Sequence, residues 1–332
     1  MKAMLMTATG GPEVLQLANV PEPEITSDTE LLVRLKAAGV NPVDTKLRSK
    51  GTYYPDRLPA ILGCDGAGVV EAVGAGVTRF RVGDEVYFCS GGIGGSPGNY
   101  AEYAVVDERF CAHKPRSLNF AEAAAAPLVL ITAWESLHDR AAIKPDQTVL
   151  IHAGAGGVGH VAIQLAKLAG AQVCTTIGSR EKADFVSDLG ADAPILYKTT
   201  DFVWAVQEWT KGDGVDLALD AVGGDTFIAT FRALRVYGDL VTLLQPGPDV
   251  DWKEARLRNL RVSYELMLTP MYYGLDAARE HQAQILEECA RLFDEGRLRI
   301  HLAQTFPLEE AAAAHRLIEQ GTMTGKIALV LE

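Results

Sequence analysis

The segment Val149–Gln164 reads VLIHAGAGGVGHVAIQ, an apolar run followed by a cluster of glycines and then by helix-forming residues. Gly154, Gly156 and Gly159 have the spacing G-x-G-x-x-G, after a predicted buried strand and at the start of a predicted helix. This is the context in which such a turn binds the pyrophosphate of a dinucleotide. We expect Gly154 to permit the tight turn, Gly156 to admit the pyrophosphate, and Gly159 to let helix and strand pack closely. A glycine-rich turn without a ligand is the alternative interpretation.

The alternation of strands and helices continues beyond this segment. Apolar runs that end in turns occur at Gln172–Gly178, Val215–Gly224 and Gly238–Gly247, and Leu260–Leu268 is a candidate last strand. Strands that alternate with helices imply a parallel, doubly wound sheet. We therefore predict an α/β protein in which residues 126–270 form this sheet domain.

The first ~125 residues have a different pattern, in which short strands follow one another without long amphipathic helices. This pattern favours a β-rich, barrel-like lobe. Ser90–Asn99, SGGIGGSPGN, is a surface loop by composition, and Pro127 should interrupt a helical segment that begins near Ala121. Residues 271–332 contain a predicted long helix and end in the strand-like KIALVLE, which could return to the β-rich lobe.

The end of the second predicted strand indicates which dinucleotide binds. An NAD site usually has Asp or Glu there, about 20 residues after the glycine turn, to hold the ribose 2′-hydroxyl. This strand instead ends at Gly178 and is followed by Ser179, Arg180, Glu181 and Lys182. The hydroxyl and the two cations would attract a 2′-phosphate, provided that Glu181 points outward. We therefore predict NADP(H), with a solvated charge run as the alternative.

Further cofactor contacts are expected at the carboxyl edge of the sheet, where parallel sheets bind their ligands. Val222 follows the predicted strand VDLALD, and two glycines come directly after it. Leu244 and Gln245 follow the next strand and are expected near the nicotinamide.

The composition restricts the possible partners and the compartment. A net charge of −12 over 332 residues argues against a nucleic-acid partner, because phosphate binding needs a basic surface. No apolar stretch approaches the roughly 20 residues of a membrane helix, and no signal-length apolar core is found near the N-terminus. The five cysteines are scattered and form no C-x-x-C, so reduced thiols in a cytoplasmic protein are expected.

Several segments together resemble the medium-chain dehydrogenase/reductases, and within them the zinc-free quinone oxidoreductases of the zeta-crystallin group. The matching segments are AAGVNPVDTKLRS, GCDGAGVVEAVGAGVTRFRVGDEV, AEYAVV, PLVLITAWESL, HAGAGGVGHVAIQLAKLAGA and MTGKIALVL. The resemblance implies a GroES-like catalytic domain over residues 1–125 and 271–332, and a Rossmann NADP-binding domain over 126–270. It also implies an active site in the cleft between them, NADPH as hydride donor, and a homodimer.

The resemblance also bears on metal binding. In zinc-dependent relatives three positions supply the catalytic ligands, and the matching positions here are Asn41, Cys64 and Leu128. An amide is a poor zinc ligand and a leucine is none, so Cys64 with Asp65 cannot complete a site. The four closely spaced cysteines of the relatives' structural zinc lobe are missing too. We expect no metal.

Without a Lewis acid, quinones and activated enones are easier hydride acceptors than simple ketones, because the developing charge is delocalised. The resemblance places catalytic or substrate-contacting residues at Asn41, Asp44, Lys46, Tyr53 and Thr132. Lys46 departs from the tyrosine often found at that point, which could favour a more polar or anionic acceptor. The remaining residues assigned to the cofactor are Gly157, Val158, Tyr197 and Lys326.

Other functions stay open at this stage. An enoyl or alkenal double-bond reductase would use the same scaffold and cofactor. A non-catalytic NADPH-binding protein is an alternative from a different class. A zinc alcohol dehydrogenase is disfavoured by the residues at the ligand positions.

Overall fold

The computed structural model describes residues 1–331. Its strands are β1 (Lys2–Met6), β2 (Leu15–Asn19), β3 (Glu30–Val40), β4 (Ala60–Ile61), β5 (Asp65–Val73), β6 (Glu85–Cys89), β7 (Tyr103–Asp107), β8 (Cys111–His113), β9 (Thr148–Ile151), β10 (Gln172–Ile177), β11 (Ala193–Leu196), β12 (Val215–Asp220), β13 (Leu234–Thr242), β14 (Arg261–Tyr264), β15 (Leu302–Pro307) and β16 (Lys326–Val330). Its α-helices are α1 (Pro42–Lys50), α2 (Phe120–Ala124), α3 (Pro127–Trp134), α4 (Gly157–Leu168), α5 (Glu181–Asp188), α6 (Phe202–Trp209), α7 (Gly224–Ala233), α8 (Lys253–Leu257), α9 (Thr269–Tyr273), α10 (Asp276–Asp294) and α11 (Ala311–Glu319).

The described chain divides into two compact units. Residues 1–131 and 268–331 belong to a β-rich unit, and residues 132–267 belong to a parallel-sheet unit. From the sequence, these limits are predicted at 125/126 and 270/271 instead. Each unit has its own hydrophobic core.

The parallel-sheet unit contains six strands in the order β11-β10-β9-β12-β13-β14, and every neighbouring pair is parallel. Val149, Leu150 and Ile151 of β9 are fully buried because helices cover both faces of the sheet. The strand order reverses between β9 and β12, which is the point where a doubly wound sheet binds its ligand. The predicted doubly wound fold is confirmed.

The β-rich unit contains a three-stranded sheet, β2-β1-β4, and a seven-stranded sheet, β15-β16-β3-β5-β6-β8 with β7 paired to β3. The C-terminal strand β16 pairs antiparallel with β3, and Ile327 lies opposite Val40. The expected return of the tail to the N-terminal lobe is therefore confirmed, and it brings Lys326 beside the start of α1.

Two helical predictions also agree with the structure. Pro127 begins α3 after a break that follows α2, as expected from its missing N–H. The predicted long C-terminal helix is α10. Within residues 1–331, no helix combines the length and the apolarity needed to cross a bilayer.

Candidate cofactor and active site

The glycine turn after β9 contains glycines with different surroundings. A Cβ added at Gly154 would lie 2.0 Å from Thr175 Oγ1, and one added at Gly159 would lie 2.3 Å from the Ala153 carbonyl oxygen. A Cβ at Gly156 would meet only that same carbonyl oxygen, at 3.1 Å. Gly154 and Gly159 are therefore required by packing, whereas Gly156, at the N-terminus of α4, has a single close neighbour. This arrangement fits a phosphate approaching the backbone at Gly156.

The turn is tied to β10 by buried polar groups. The Ala153 N–H donates to Thr176 Oγ1 at 3.0 Å, and the Gly154 N–H donates to the Thr176 carbonyl at 3.0 Å. His152 lies between Thr176 Oγ1 (3.2 Å) and Thr230 Oγ1 (2.9 Å), and burial lowers its pKa to about 4. His152 is thus a neutral structural residue that holds the turn in place.

The end of β10 lies next to an exposed tyrosine. A Cβ added at Gly178 would be 3.3 Å from Tyr197 Oη, so the tyrosine ring lies close over the glycine. Tyr197 follows β11, and 53% of its surface is exposed. The structure therefore brings together Gly178 and Tyr197, two residues that were assigned to the cofactor on different grounds.

Cationic side chains lie at the same edge of the sheet. Burial and the nearby Lys198 ammonium lower the pKa of Lys182. Arg180 is exposed and lines a groove of about 330 Å³ together with residues that follow β11. Glu181 is exposed, and a hydrogen bond from the Ser179 hydroxyl lowers the pKa of its carboxyl. Glu181 therefore does not point away from this edge as expected, and Ser179 is free to bind a phosphate only if this hydrogen bond breaks. This cationic edge (Arg180, Lys182 and Lys198) fits the 2′-phosphate of NADP(H).

Lys198 was missed by the sequence analysis. It directly follows Tyr197 at the carboxyl end of β11, the strand next to β10. Because the carboxyl ends of neighbouring parallel strands meet at one edge, its position after a predicted strand would have been the usable signal.

A buried carboxylate organises the next two loops. Asp220 Oδ1 accepts hydrogen bonds from the Val222 and Gly223 N–H groups, both at 2.9 Å. Asp220 Oδ2 accepts from Thr242 Oγ1 at 2.9 Å, and that hydroxyl also receives the Leu244 N–H at 3.3 Å. The predicted cofactor residues Val222 and Leu244 are thereby held together. Sequence reasoning missed Asp220, although an aspartate that ends an apolar strand before V-G-G was a visible signal.

The predicted Gln245 is exposed beyond Leu244. Gly157 and Val158 are half-buried at the first turn of α4, in line with the glycine turn. The structure thus places the predicted cofactor residues of this unit along the carboxyl edge of one sheet.

In the β-rich unit, Asn41 begins α1 within a buried polar network. The Asn41 N–H donates to Asp44 Oδ2 at 2.8 Å, and Asn41 Nδ2 donates to Asp65 Oδ2 at 2.9 Å. The Lys326 ammonium donates to Asn41 Oδ1 and to the carbonyl of residue 40, and the Leu128 N–H donates to Asp65 Oδ1 at 2.9 Å. Asn41, Asp44, Asp65 and Lys326 are all buried.

The low polarity around this network shifts its ionisation equilibria. Burial raises the pKa of Asp44 to about 7, and it raises the pKa of Asp65 as well. Burial lowers the pKa of Lys326. Lys326 was assigned to the cofactor from the sequence, and the structure places its ammonium against Asn41 in the β-rich unit.

Two further buried residues extend the network beyond Asp44. Tyr100 Oη donates to Asp44 Oδ2 at 3.0 Å and lies 3.2 Å from His315 Nε2. Burial lowers the pKa of His315 to about 3, so this imidazole is neutral. Sequence reasoning missed both residues, because the contacts span 56 and 215 positions along the chain and leave no local signal.

The three positions that match zinc ligands do not fit a zinc ion. The Asn41 amide oxygen already accepts a hydrogen bond from the cationic Lys326, and Leu128 offers only its backbone N–H, to Asp65. A hydrogen bond with Cys89 acts to lower the pKa of the Cys64 thiol, but burial leaves that pKa raised and disfavours the thiolate that zinc requires. Within residues 1–331, no three His, Cys, Asp or Glu side chains are grouped to hold a metal.

The other predicted catalytic residues lie in different environments. Tyr53 is partly exposed, and burial of the rest of the ring raises the pKa of its phenol, which stays protonated. Lys46 is exposed on α1, and partial burial with the nearby Lys50 lowers its pKa. Thr132 is buried in α3, where its carbonyl accepts a hydrogen bond from Ser136 Oγ at 2.7 Å.

A doubly wound dinucleotide-binding sheet and a GroES-like β-rich unit on one chain define a medium-chain dehydrogenase/reductase. Family models agree: that of the alcohol dehydrogenase GroES-like domain matches residues 27–116, and that of the zinc-binding dehydrogenases matches residues 189–329. The quinone oxidoreductase of Salmonella typhimurium is 35% identical over 323 residues, which are 97% of each chain. The chain belongs to the quinone oxidoreductase family of this superfamily.

Solved structures show the same relationship. The Escherichia coli quinone oxidoreductase complexed with NADPH is 31% identical and has a TM-score of 0.88, with both chains fully covered. An alcohol dehydrogenase superfamily protein from Novosphingobium aromaticivorans is 36% identical with a TM-score of 0.92, also with full coverage of both chains.

Proposed function

We propose that the protein is an NADPH-dependent oxidoreductase that reduces quinones or activated enones without a catalytic metal. The observation that carries this proposal is the cationic edge at the ends of β10 and β11, together with the glycine turn, in which Gly156 has a single close neighbour. Family membership supports the acceptor class.

The residues that would hold NADPH follow from the geometry of the parallel-sheet unit. The backbone from Gly154 to Gly159 would bind the pyrophosphate, and the cationic edge with Ser179 would bind the 2′-phosphate. Tyr197 would pack beside the adenosine end, while Val222, Leu244 and Gln245 would contact the nicotinamide end. When bound, NADPH supplies the hydride that the reaction needs.

The acceptor side depends on hydrogen bonding instead of a Lewis acid. A quinone that takes up one hydride and one proton becomes a hydroquinone, and the charge that develops on oxygen is spread over the ring. The protonated Tyr53 phenol can donate a hydrogen bond to that oxygen. Asn41 and Asp44 belong to the buried polar network of the β-rich unit. Lys46 adds a positive charge on α1, the helix that also contains Asp44.

The test is NADPH consumption by the purified protein with a panel of quinones and enones, with zinc content measured in the same preparation. We expect turnover to be highest with quinones and unchanged after dialysis against a chelator. Faster turnover of a 2-enoyl thioester than of 1,4-benzoquinone would instead favour the double-bond reductase. Binding of NADPH without turnover of any acceptor would contradict catalysis, and about one zinc per chain would contradict the metal-free mechanism.

A cytoplasmic location and a homodimeric state are further parts of this proposal. The five cysteines are free and buried, which suits a reducing compartment. The homodimer rests on the family resemblance alone, and sedimentation analysis of the purified protein tests it.

A further inference from the structure

Four tyrosine rings from two distant segments meet on the β-rich unit, and one of them, Tyr273, packs edge-to-face with Tyr272 at a centroid distance of 4.8 Å. Tyr53 and Tyr54 follow α1, and Tyr272 belongs to α9. The Tyr53 and Tyr272 ring centroids are 5.2 Å apart, and those of Tyr54 and Tyr272 are 5.9 Å apart, with tilted planes in both pairs. The Tyr54 hydroxyl donates to the Tyr272 carbonyl at 3.4 Å, which links the two segments directly.

The backbone fixes where these rings lie. The Tyr53 N–H donates to the Ile93 carbonyl at 3.1 Å, and a Cβ added at Gly95 would lie 2.9 Å from the Tyr54 ring. The loop Ser90–Asn99 therefore packs against Tyr53 and Tyr54. On the other side, α9 ends at Gly274, whose φ of 65° is left-handed and closes the helix. The rings are thus held by main-chain contacts from three segments.

The rings remain open on their outer sides. Tyr53 is 36% exposed and Tyr272 is 40% exposed, although each packs against the other. The loop that contacts Tyr53 through Ile93 also contacts the buried Cys64, since Asn99 Nδ2 donates to the Cys64 carbonyl at 2.9 Å. Cys64 precedes Asp65 of the polar network around Asn41. The exposed pair therefore extends from the protein surface toward that network, and adjacent exposed aromatic rings of this kind commonly mark a binding surface.

We propose that Tyr272, together with Tyr53, forms a stacking surface that selects planar aromatic acceptors, which makes Tyr272 a specificity-determining residue. This inference rests on the proposed reduction of quinones. The π face of a phenol is electron-rich and the ring of a quinone is electron-poor, so offset stacking between them is favourable. Because the two tyrosine planes are tilted by 44°, a planar ligand can stack on one ring and meet the other with its edge. A fused-ring quinone is large enough to make both contacts, whereas 1,4-benzoquinone can make one and an open-chain enone offers no ring at all.

Steady-state kinetics of Tyr272→Ala test the selection. We expect the KM for 9,10-phenanthrenequinone to rise about tenfold, since an aromatic pair contributes up to about 1.5 kcal/mol. The KM for 1,4-benzoquinone should change less than about threefold, and the KM for NADPH should not change. Tyr272→Phe keeps the ring and should behave as the wild type. Trp204→Ala removes another exposed aromatic ring, on α6, and is the matched control.

Substitution of Tyr272 leaves its carbonyl in place, so the hydrogen bond from Tyr54 is retained. Equal changes in KM for both quinones, or no change for phenanthrenequinone, would overturn the stacking surface. Fluorescence titration with phenanthrenequinone in the absence of NADPH measures binding without turnover. If the wild type reduces no quinone, the proposed function fails, and this titration alone decides the inference: about tenfold weaker binding by Tyr272→Ala supports it, and equal binding rejects it.

Discussion

The Lys326 ammonium on β16 donates a hydrogen bond to the Asn41 side-chain oxygen at the start of α1. The last strand of the chain thereby supplies the cation that faces two buried carboxyls, Asp44 and Asp65. The same contact occupies the oxygen that a metal would need at this position. A single lysine thus both supplies positive charge to the network and occupies the Asn41 side-chain oxygen.

Replacing this lysine by methionine should destabilise the protein strongly. Lys326→Met keeps the side-chain length but removes the cation near two buried carboxyls and leaves the Asn41 and Val40 oxygens without their donor, and each buried polar group left unsatisfied costs about 1–3 kcal/mol. Urea unfolding at neutral pH measures the loss in the free energy of unfolding. Lys50→Met, at the exposed end of α1, is the control and should change that free energy by less than about 0.5 kcal/mol. Equal effects of the two substitutions would show that the charge balance contributes nothing.

The ionisation of Asp44 should make stability depend on pH. Burial raises the pKa of Asp44 from 3.8 to about 7, so the folded state binds this proton more tightly than the unfolded state. The stability that protonated Asp44 contributes is complete below its pKa in the unfolded protein. This stability is lost as the pH rises through the pKa of Asp44 in the folded protein.

The comparison of wild type with Asp44→Asn isolates this effect, since the amide cannot ionise. Between about pH 4 and 7, the free energy of unfolding of the wild type should fall relative to that of the variant, and the difference should level off above pH 7. Asn41, Asp65, Tyr100 and Lys326 surround the carboxyl in both proteins, so their contributions largely cancel. If the difference in the free energy of unfolding between wild type and Asp44→Asn stays constant over this pH range, Asp44 keeps one protonation state.

The parallel-sheet unit could be predicted from the sequence because its informative residues are close together along the chain. The glycine turn, the strand end at Gly178 and the run Val222–Gly224 each combine a periodic apolar strand with the loop that follows it. Lys198 escaped notice because its role depends on which strands are neighbours, which the sequence pattern does not state.

The polar network of the β-rich unit was largely hidden from sequence reasoning. Its contacts join β5, α1, β16 and the residues around Tyr100 and His315, segments that only tertiary packing brings together. Asn41 and Asp44 were found through the family resemblance, but their partners were not. For Tyr53 the sequence indicated a substrate-contacting ring, and the second ring, Tyr272, became visible only in the structure.

Two glycines of the same turn should respond differently to alanine. Gly159→Ala places a methyl group 2.3 Å from the Ala153 carbonyl oxygen, so it should lower stability by about 1–3 kcal/mol or more. Gly156→Ala meets no such clash and should fold normally, but its methyl group would enter the space where the pyrophosphate is expected. Thermal unfolding and NADPH titration of both variants separate the two roles. Unchanged NADPH affinity of Gly156→Ala would argue against phosphate binding at this turn.

The cationic edge should determine the preference between the two nicotinamide dinucleotides. Arg180→Ala and Lys198→Ala each remove one charge that would face the 2′-phosphate, and a charge-assisted hydrogen bond contributes about 1.5–3 kcal/mol. We therefore expect the Kd for NADPH to rise at least about tenfold, with the Kd for NADH unchanged within about twofold. Nicotinamide fluorescence titrations measure both constants, and Lys253→Ala, which removes an exposed charge from α8, is the matched control. Because surface charges are screened by salt, the preference of the wild type for NADPH over NADH should also decrease as ionic strength rises. A wild type that binds NADH as tightly as NADPH would refute the assignment of this edge to the 2′-phosphate.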